Sequence, residues 1–505
     1  MNVNQFFEHH GIVRNPFAEE DAQTDPVFKD HCINYVFHPA WDKVYGDPKE
    51  PASSIVFGEK GSGKTAMRLQ ISQHLMDWNK KQKAQRLFIV HYDDFNPLLD
   101  RFQKHVGTFR KTEAVLSRWE SWDHMDCILS LSVTSLVDAI LGTKRLSNTG
   151  VTYQIDRSKL KSLSRHQDRD LLLLAACYDS AIHETYKGRW HRLRYKLRFR
   201  TMSSWGSTLV GIIWTLFVLL AAWQLLKFGW LKPIRVFAWD IPAILAVIGL
   251  GWLPRLRKFW NTFRLSAGID RNLRVGNLNR KWLRQVLSYF SNSELSGQPV
   301  PNRRNSEDRF DSLMRLQNLL QSLGFHGIVV LMDRIDEPHL INGKVDRMKN
   351  FVWPMLDNKL LKHPGLGIKM MLPAELVEYA DNETPEFFQR SRLDKQNMIR
   401  SFQWTPQSLY DVANARLAAC CDQQNPATLP TMLQDDFGHE ELLSALGKLR
   451  TPRQLFKFLY RLVVRHCNQF TSDRPEWKIS TELFQDELNT FQAEQVAFDK
   501  GVGPG

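Results

Sequence analysis

The sequence predicts an α/β fold: a parallel sheet with helices on both faces, interrupted by an apolar helical hairpin and closed by a carboxy-terminal helical region. Three observations predict it. A short strand candidate, Ser53–Phe57, runs into a glycine-rich turn and then a helix, Ala66–Trp78. A continuous apolar run, Gly327–Met332, ends in charged residues, as a strand buried on both faces does. Between them lie two apolar stretches, Leu209–Leu226 and Val236–Leu253, each about 18 residues and so roughly 27 Å long as a helix, close to the thickness of a bilayer core.

The remaining elements follow from periodicity and punctuation. Residues 1–50 are polar and mixed and read as a lead-in segment. Arg86–Tyr92 is the next strand, ending at the paired Asp93 and Asp94, which either line a site or cap a turn. Glu113–Gly142 and Asp170–Tyr178 read as helical, and residues 51–186 form the first part of the sheet domain. Residues 187–265 hold the hairpin and its basic flanks. Asp308–Leu323 is an amphipathic helix and Leu366–Leu372 a further strand, so 266–400 is the second part of the sheet domain. Residues 401–505 are mostly helical, through Pro406–Cys420, Glu440–Leu446 and Pro452–His466.

The chain has 505 residues and a formal net charge of +13. The excess is concentrated. Seven basic residues and no acidic one lie between Lys187 and Arg200, and eight basic residues with one acidic, Asp270, lie between Leu253 and Lys281. Both stretches flank the hairpin, and the rest of the chain is close to neutral. This pattern favours a lipid bilayer as partner and disfavours nucleic acid. Lysine and arginine excess marks the cytosolic side, so both outer flanks, the nucleotide motifs below and both termini are expected in the cytosol of a multi-pass protein of the inner membrane. Asp240 is expected at the far interface. Six cysteines without metal-type spacing read as reduced thiols. The amino-terminal residues contain no apolar signal region.

The strongest chemical signal is Gly58-Glu59-Lys60-Gly61-Ser62-Gly63-Lys64-Thr65, which fits G-x-x-x-x-G-K-[ST], the P-loop. Glycines at 58, 61 and 63 let the backbone curl so that successive N–H groups, with that of Ser62 among them, face phosphates. A helix amino terminus adds partial positive charge beneath them. Lys64 is expected to reach the β- and γ-phosphates, and the Thr65 hydroxyl to ligate Mg²⁺. The second signal is the run from Ile328 to Met332 followed by Asp333-Arg334-Ile335-Asp336-Glu337. A carboxylate at the tip of a buried parallel strand is the usual holder of the metal shell in such folds, and Asp333 is the candidate. Glu337 or Asp336 is the candidate to orient the attacking water.

With these two motifs in place, the chain resembles the KAP-type membrane P-loop ATPases of the wider AAA+/STAND group. Those proteins place transmembrane helices between the phosphate loop and the metal-binding strand, as the hairpin lies here between Lys64 and Asp333. The layout is matched over most of residues 50–470, and the specific match is confined to the two nucleotide motifs. In the family the metal strand ends in a run of acids closed by arginine; here Arg334 stands directly after Asp333. The resemblance implies ATP and Mg²⁺ as cofactors. It also implies a helical lid whose Pro-Arg step, here Pro452-Arg453, brings Arg453 or else Arg450 toward the γ-phosphate. Arg390 and Arg392 are candidate arginine fingers toward a neighbouring subunit, which makes a homo-oligomer the expected assembly. The two nucleotide motifs can share one site only if an even number of spans separates them, and two spans satisfy this.

Three functions are compatible with this reading. One is an ATP-hydrolysing switch at the membrane in signalling or defence. A second is a nucleotide-sensing scaffold with little turnover, suggested by Arg334. A third is a DNA-handling ATPase, against which the near-neutral charge outside the hairpin flanks argues. No G-x-S-x-G, H-E-x-x-H or zinc spacing occurs.

Overall fold

In a computed structural model, which describes residues 1–505 other than 83–84, 108–110, 144–152, 181–185, 200–202, 229–240, 277, 423–425 and 500–505, the four expected strands lie in one sheet with a fifth, β5, that was not expected. They are β1 (Ser54–Gly58), β2 (Arg86–Tyr92), β3 (Phe325–Met332), β4 (Leu366–Pro373) and β5 (Asn397–Ile399), in the order β2-β3-β4-β1-β5. β1 runs parallel to both β4 and β5, with Ile55 opposite Met370 and Met398, and β3 runs parallel to β4. Parallel strands bring the carboxyl ends of β1 and β3 to the same edge, where ligands bind in open α/β sheets. All residues of β1 and β4 are buried, which explains their unbroken apolar character. Lys369 in β4 is the exception. Its Nζ donates to the carbonyls of Val44 (2.6 Å) and Tyr45 (3.0 Å), and burial pulls its pKa down to about 8. Helix α1 (Lys64–Lys81) covers one face, with Met67, Ile71 and Leu75 packed on Val56, Leu87, Ile89, Val329 and Leu331.

The chain divides into two compact units, residues 1–94 with 326–505, and residues 95–325. The expected borders at 186 and 266 therefore move outward to 94 and 326. The reason is that the segments flanking the hairpin build a core of their own rather than joining the sheet. In this helical unit Ser121–Leu141 packs with Arg165–Tyr178 and Glu307–Ser322. Its centre holds buried ion pairs, among them Arg309 with Asp126 (3.1 Å) and Arg189 with Asp179 (2.7 Å).

Two described helical stretches are long and apolar enough to cross a membrane by length and composition, Ser121–Leu141 and 208–225. The first is 72 % buried and is a core helix; the second is 11 % buried. It belongs to α2 (Ser203–Lys227), which pairs with α3 (Ile241–Asn272). Small residues permit this close approach. A Cβ on Gly251 would lie 2.0 Å from the Trp214 ring, and one on Gly211 would lie 3.0 Å from Trp252. Trp252 Nε1 donates to Thr215 Oγ1 (3.0 Å). The expected linker, with Asp240 and the first residues of the second span, falls outside the described residues.

In the sheet unit, the carboxy-terminal helices Pro406–Ala419, α4 (Pro452–Gln469) and Thr481–Asp499 share one core. The first 32 residues are part of it: Phe6, Phe7, Ile12, Phe17, Val27 and Cys32 are buried among Leu409, Leu455, Phe458 and Phe484. The segment expected to be a lead-in is thus a structural member of the last domain, tied in by the buried pair of Arg416 with Asp25 (2.5 Å).

Candidate functional site

The glycine-rich turn links β1 to α1 at the carboxyl edge of the sheet. Gly61 (φ 86°) and Gly63 (φ 95°) occupy the left-handed region, where a side chain would be strained. A Cβ on Gly61 would lie 2.6 Å from Cβ of Arg453, and one on Gly58 would lie 2.6 Å from Ser62 Oγ. The Trp404 indole donates to the Ser62 carbonyl (2.7 Å), fixing the turn from outside. No side chain caps the start of α1, so its first amides keep their partial positive charge toward the turn. Lys64 Nζ donates to the carbonyls of Gly58 (2.7 Å) and Glu59 (2.9 Å). Burial lowers the Lys64 pKa, and Asp333, Asp336 and Glu375 oppose that shift.

Across 268 positions of sequence, Thr65 Oγ1 donates to Asp333 Oδ2 at 2.8 Å. Asp333 is 2 % exposed at the tip of β3. Burial pushes its carboxyl up, while Arg68, Thr65 and Lys64 pull it back. The buried Arg68, one helical turn beyond Lys64, sits between two acids. Its Nε lies 3.2 Å from Asp333 Oδ2, and its other end reaches Asp93 Oδ2 at 2.6 Å. The same guanidinium lies 3.3 Å from His91 Nδ1. Burial and this cation hold the His91 pKa near 4, so the neutral ring accepts from Arg68.

Arg334 adopts a left-handed backbone (φ 60°), which swings it away from Asp333 toward the amino-terminal segment. There it donates twice to Asp21 (2.8 and 3.1 Å), and its Nε is 3.5 Å from Glu337. Burial raises the Glu337 pKa, with Arg334 opposing. Arg453 leans over the turn, its N–H 3.4 Å from the Gly61 carbonyl and its Nε 3.6 Å from Glu20. Lys457 also approaches Glu20, at 3.5 Å.

A cavity of about 190 Å³ joins these groups. Lys64, Thr65, Asp333, Asp336, Glu337 and Arg453 line one side of it. Phe28, Val36, His38, Val412 and Ala415 make an apolar side, where the His38 ring stacks on Phe402 at 3.6 Å. Burial holds His38 near pKa 4, so its ring is uncharged at neutral pH.

The cavity thus gathers Gly61, Gly63, Lys64 and Thr65 of the turn with Asp333, Asp336, Glu337 and Arg453; Gly58 and Ser62, also expected, do not line it. Asp93 joins through Arg68. Arg450 is exposed and does not line the cavity, and Arg390 and Arg392 do not either. The last two are exposed in the stretch between β4 and β5. Sequence reasoning missed Arg68, although its i+4 spacing from Lys64 on one helix face was a usable signal. It also missed Glu20, Asp21 and His38, which carry no local pattern and reach the cavity only through long-range packing.

A hard divalent cation suits the oxygen pair of Thr65 and Asp333. Among the described residues no group of three or more His, Cys, Asp or Glu side chains is placed to hold a metal. Mg²⁺ bound through one carboxylate, a hydroxyl and substrate phosphates needs no such cage. Compared with known proteins, the chain matches no family model, no curated protein and no solved structure.

Proposed function

We propose that the sheet unit binds and hydrolyses Mg-ATP, and that the hairpin anchors the chain in the cytoplasmic membrane as a switch of a membrane-linked assembly, in the manner of the KAP-type ATPases it resembles. The observation that carries this reading is the hydrogen bond between Thr65 and Asp333, which unites two motifs far apart in sequence at the edge where such sheets bind ligands.

In this reading the amides of Gly61–Thr65 and Lys64 hold the phosphates, and Thr65 and Asp333 hold Mg²⁺. When bound, that ion would neutralise charge developing on the β- and γ-oxygens. Glu337 takes the proton from water as its oxygen bonds to the γ-phosphorus and the bond to the leaving oxygen breaks. Arg453, on the proposed lid, approaches the same phosphate. Arg390 and Arg392 act only toward a neighbouring copy, if the protein assembles as a homo-oligomer. The apolar wall with His38 accommodates the base.

One observation favours the second reading, a sensor with little turnover. Arg334 is bound to Asp21 and stands beside Glu337, where it stabilises the carboxylate as an ion pair and weakens it as a base. Steady-state phosphate release by the detergent-solubilised protein separates the two. Turnover that disappears in Lys64→Ala, Asp333→Ala and Glu337→Gln supports hydrolysis with these roles. Nucleotide binding with no turnover in the wild type selects the sensor, and wild-type binding that survives intact in Lys64→Ala sinks both.

A further inference from the structure

Helix α3 is 32 residues long, roughly 48 Å at 1.5 Å per residue, well beyond a hydrocarbon core of about 30 Å. Pro254 divides it. Ile241–Leu253 carries no charge, and Arg255–Asn272 carries five basic residues and one acidic. Just past the proline, Leu256, Phe259, Trp260 and Phe263 recur at i, i+3, i+4 and i+7, one face of a helix. All four are exposed, at 58, 50, 64 and 38 %. The exposed Arg257 and Arg264 border this stripe. The neighbouring helix, Arg280–Leu287, adds two more cations: the Arg284 guanidinium lies 4.8 Å from the Phe259 ring centre and that of Arg280 4.7 Å from Phe263. An exposed apolar stripe edged by arginines does not suit water, and its charge does not suit hydrocarbon. It suits the boundary between them.

We propose that residues 255–264, with Arg280 and Arg284, form an interfacial element that recognises the phosphates of acidic phospholipid headgroups. The inference rests on reading the hairpin as a membrane anchor, and adds to it a lipid preference and a location. The occupant is argued from continuity and charge. The stripe continues the helix that carries the uncharged span, and the nearest cluster of formal charge on it is almost wholly positive. Leu256, Phe259, Trp260 and Phe263 enter the acyl boundary, while the arginines remain at the level of the phosphates.

The test uses the full chain reconstituted into vesicles of phosphatidylcholine alone, or with one third phosphatidylglycerol. A fluorophore is attached at residue 260 in a Trp260→Cys variant and quenched by spin-labelled lipid. The expected result is at least twofold stronger quenching in the acidic vesicles. That difference should be lost in 0.5 M salt and in the combined Arg257→Gln, Arg264→Gln, Arg280→Gln and Arg284→Gln variant. The corresponding Arg→Lys variant should keep it, which separates lost charge from lost packing. Equal quenching in both vesicles, with the protein still resistant to carbonate extraction, overturns the lipid preference and leaves the anchor standing. Extraction of the protein by carbonate from both vesicles overturns the anchor, and the proposal with it. Tighter binding of duplex DNA than of acidic vesicles by this surface also overturns it.

Discussion

Asp333 and Asp126 are both buried carboxylates facing a buried arginine, one in the sheet unit and one in the helical unit. Burial pushes both carboxyls up, and a guanidinium pulls both back. Their surroundings differ in one respect. Asp126 is sealed: Arg309 and the Tyr178 hydroxyl (2.9 Å) saturate it, and neither Asp126 nor Arg309 is exposed at all. Asp333 instead lines a cavity beside a lysine and a threonine hydroxyl. A buried ion pair is therefore no mark of function. A buried carboxylate becomes a candidate for chemistry when a cavity reaches it and its partners are able to exchange.

This contrast is open to direct attack. The largest expected effect is on activity. Glu337→Gln should lower ATP turnover by about 10²–10⁴-fold, the range for a lost general base. Because the Glu337 pKa is raised, this proposed base stays protonated to a higher pH than an ordinary glutamate. The wild-type rate should rise with pH along an acid limb displaced upward, and the variant should lack that limb. Next, Asp126→Ala should destabilise the protein by about 3–5 kcal/mol through the stranded Arg309, read as a lower denaturation midpoint, with nucleotide binding retained in the folded fraction. Asp333→Ala should do the reverse, abolishing turnover while the midpoint moves far less. If both aspartates behave alike, the contrast fails.

Gly61→Ala comes third. The left-handed backbone and the contact with Arg453 should cost about 1–3 kcal/mol, seen as weaker nucleotide binding by calorimetry. The smallest effect belongs to the acids of the amino-terminal segment. Glu20 and Asp21 are partly exposed and pair with Arg453, Lys457 and Arg334. Neutralising both, as Glu20→Gln with Asp21→Asn, should tighten ATP binding by a few-fold, in keeping with about 0.2–1 kcal/mol for exposed pairs. Unchanged or weaker binding would mean that these acids do not compete for those cations.

What was legible in the sequence was local. The turn from Gly58 to Thr65 and the run into Asp333 are spelled by adjacent residues, and the helices Pro406–Ala419 and Pro452–Gln469 by their proline starts and apolar period. β5 was not legible, because three half-buried residues carry no period. Nor was the place of residues 1–32, whose few phenylalanines show a core face only once the last hundred residues surround them. The stretch Ser121–Leu141 is apolar enough to pass for a span, and only packing by its neighbours identifies it as core. The site followed the same rule. Lys64 and Thr65 were readable from their motif, while Asp21 needed the folded chain.

The sheet is also interrupted in time. β1 and β2 leave the ribosome first, and β3, which lies between β2 and β4, follows only after the whole helical unit has been made. At about 5–20 residues per second, that unit takes roughly ten to fifty seconds to synthesise. During that interval the two early strands have unpaired edges, and Phe6 and Phe7 await helices encoded at the far end of the message. A nascent chain of this design invites a chaperone on its first ninety residues. Stalling translation just before β3 is the place to look for one.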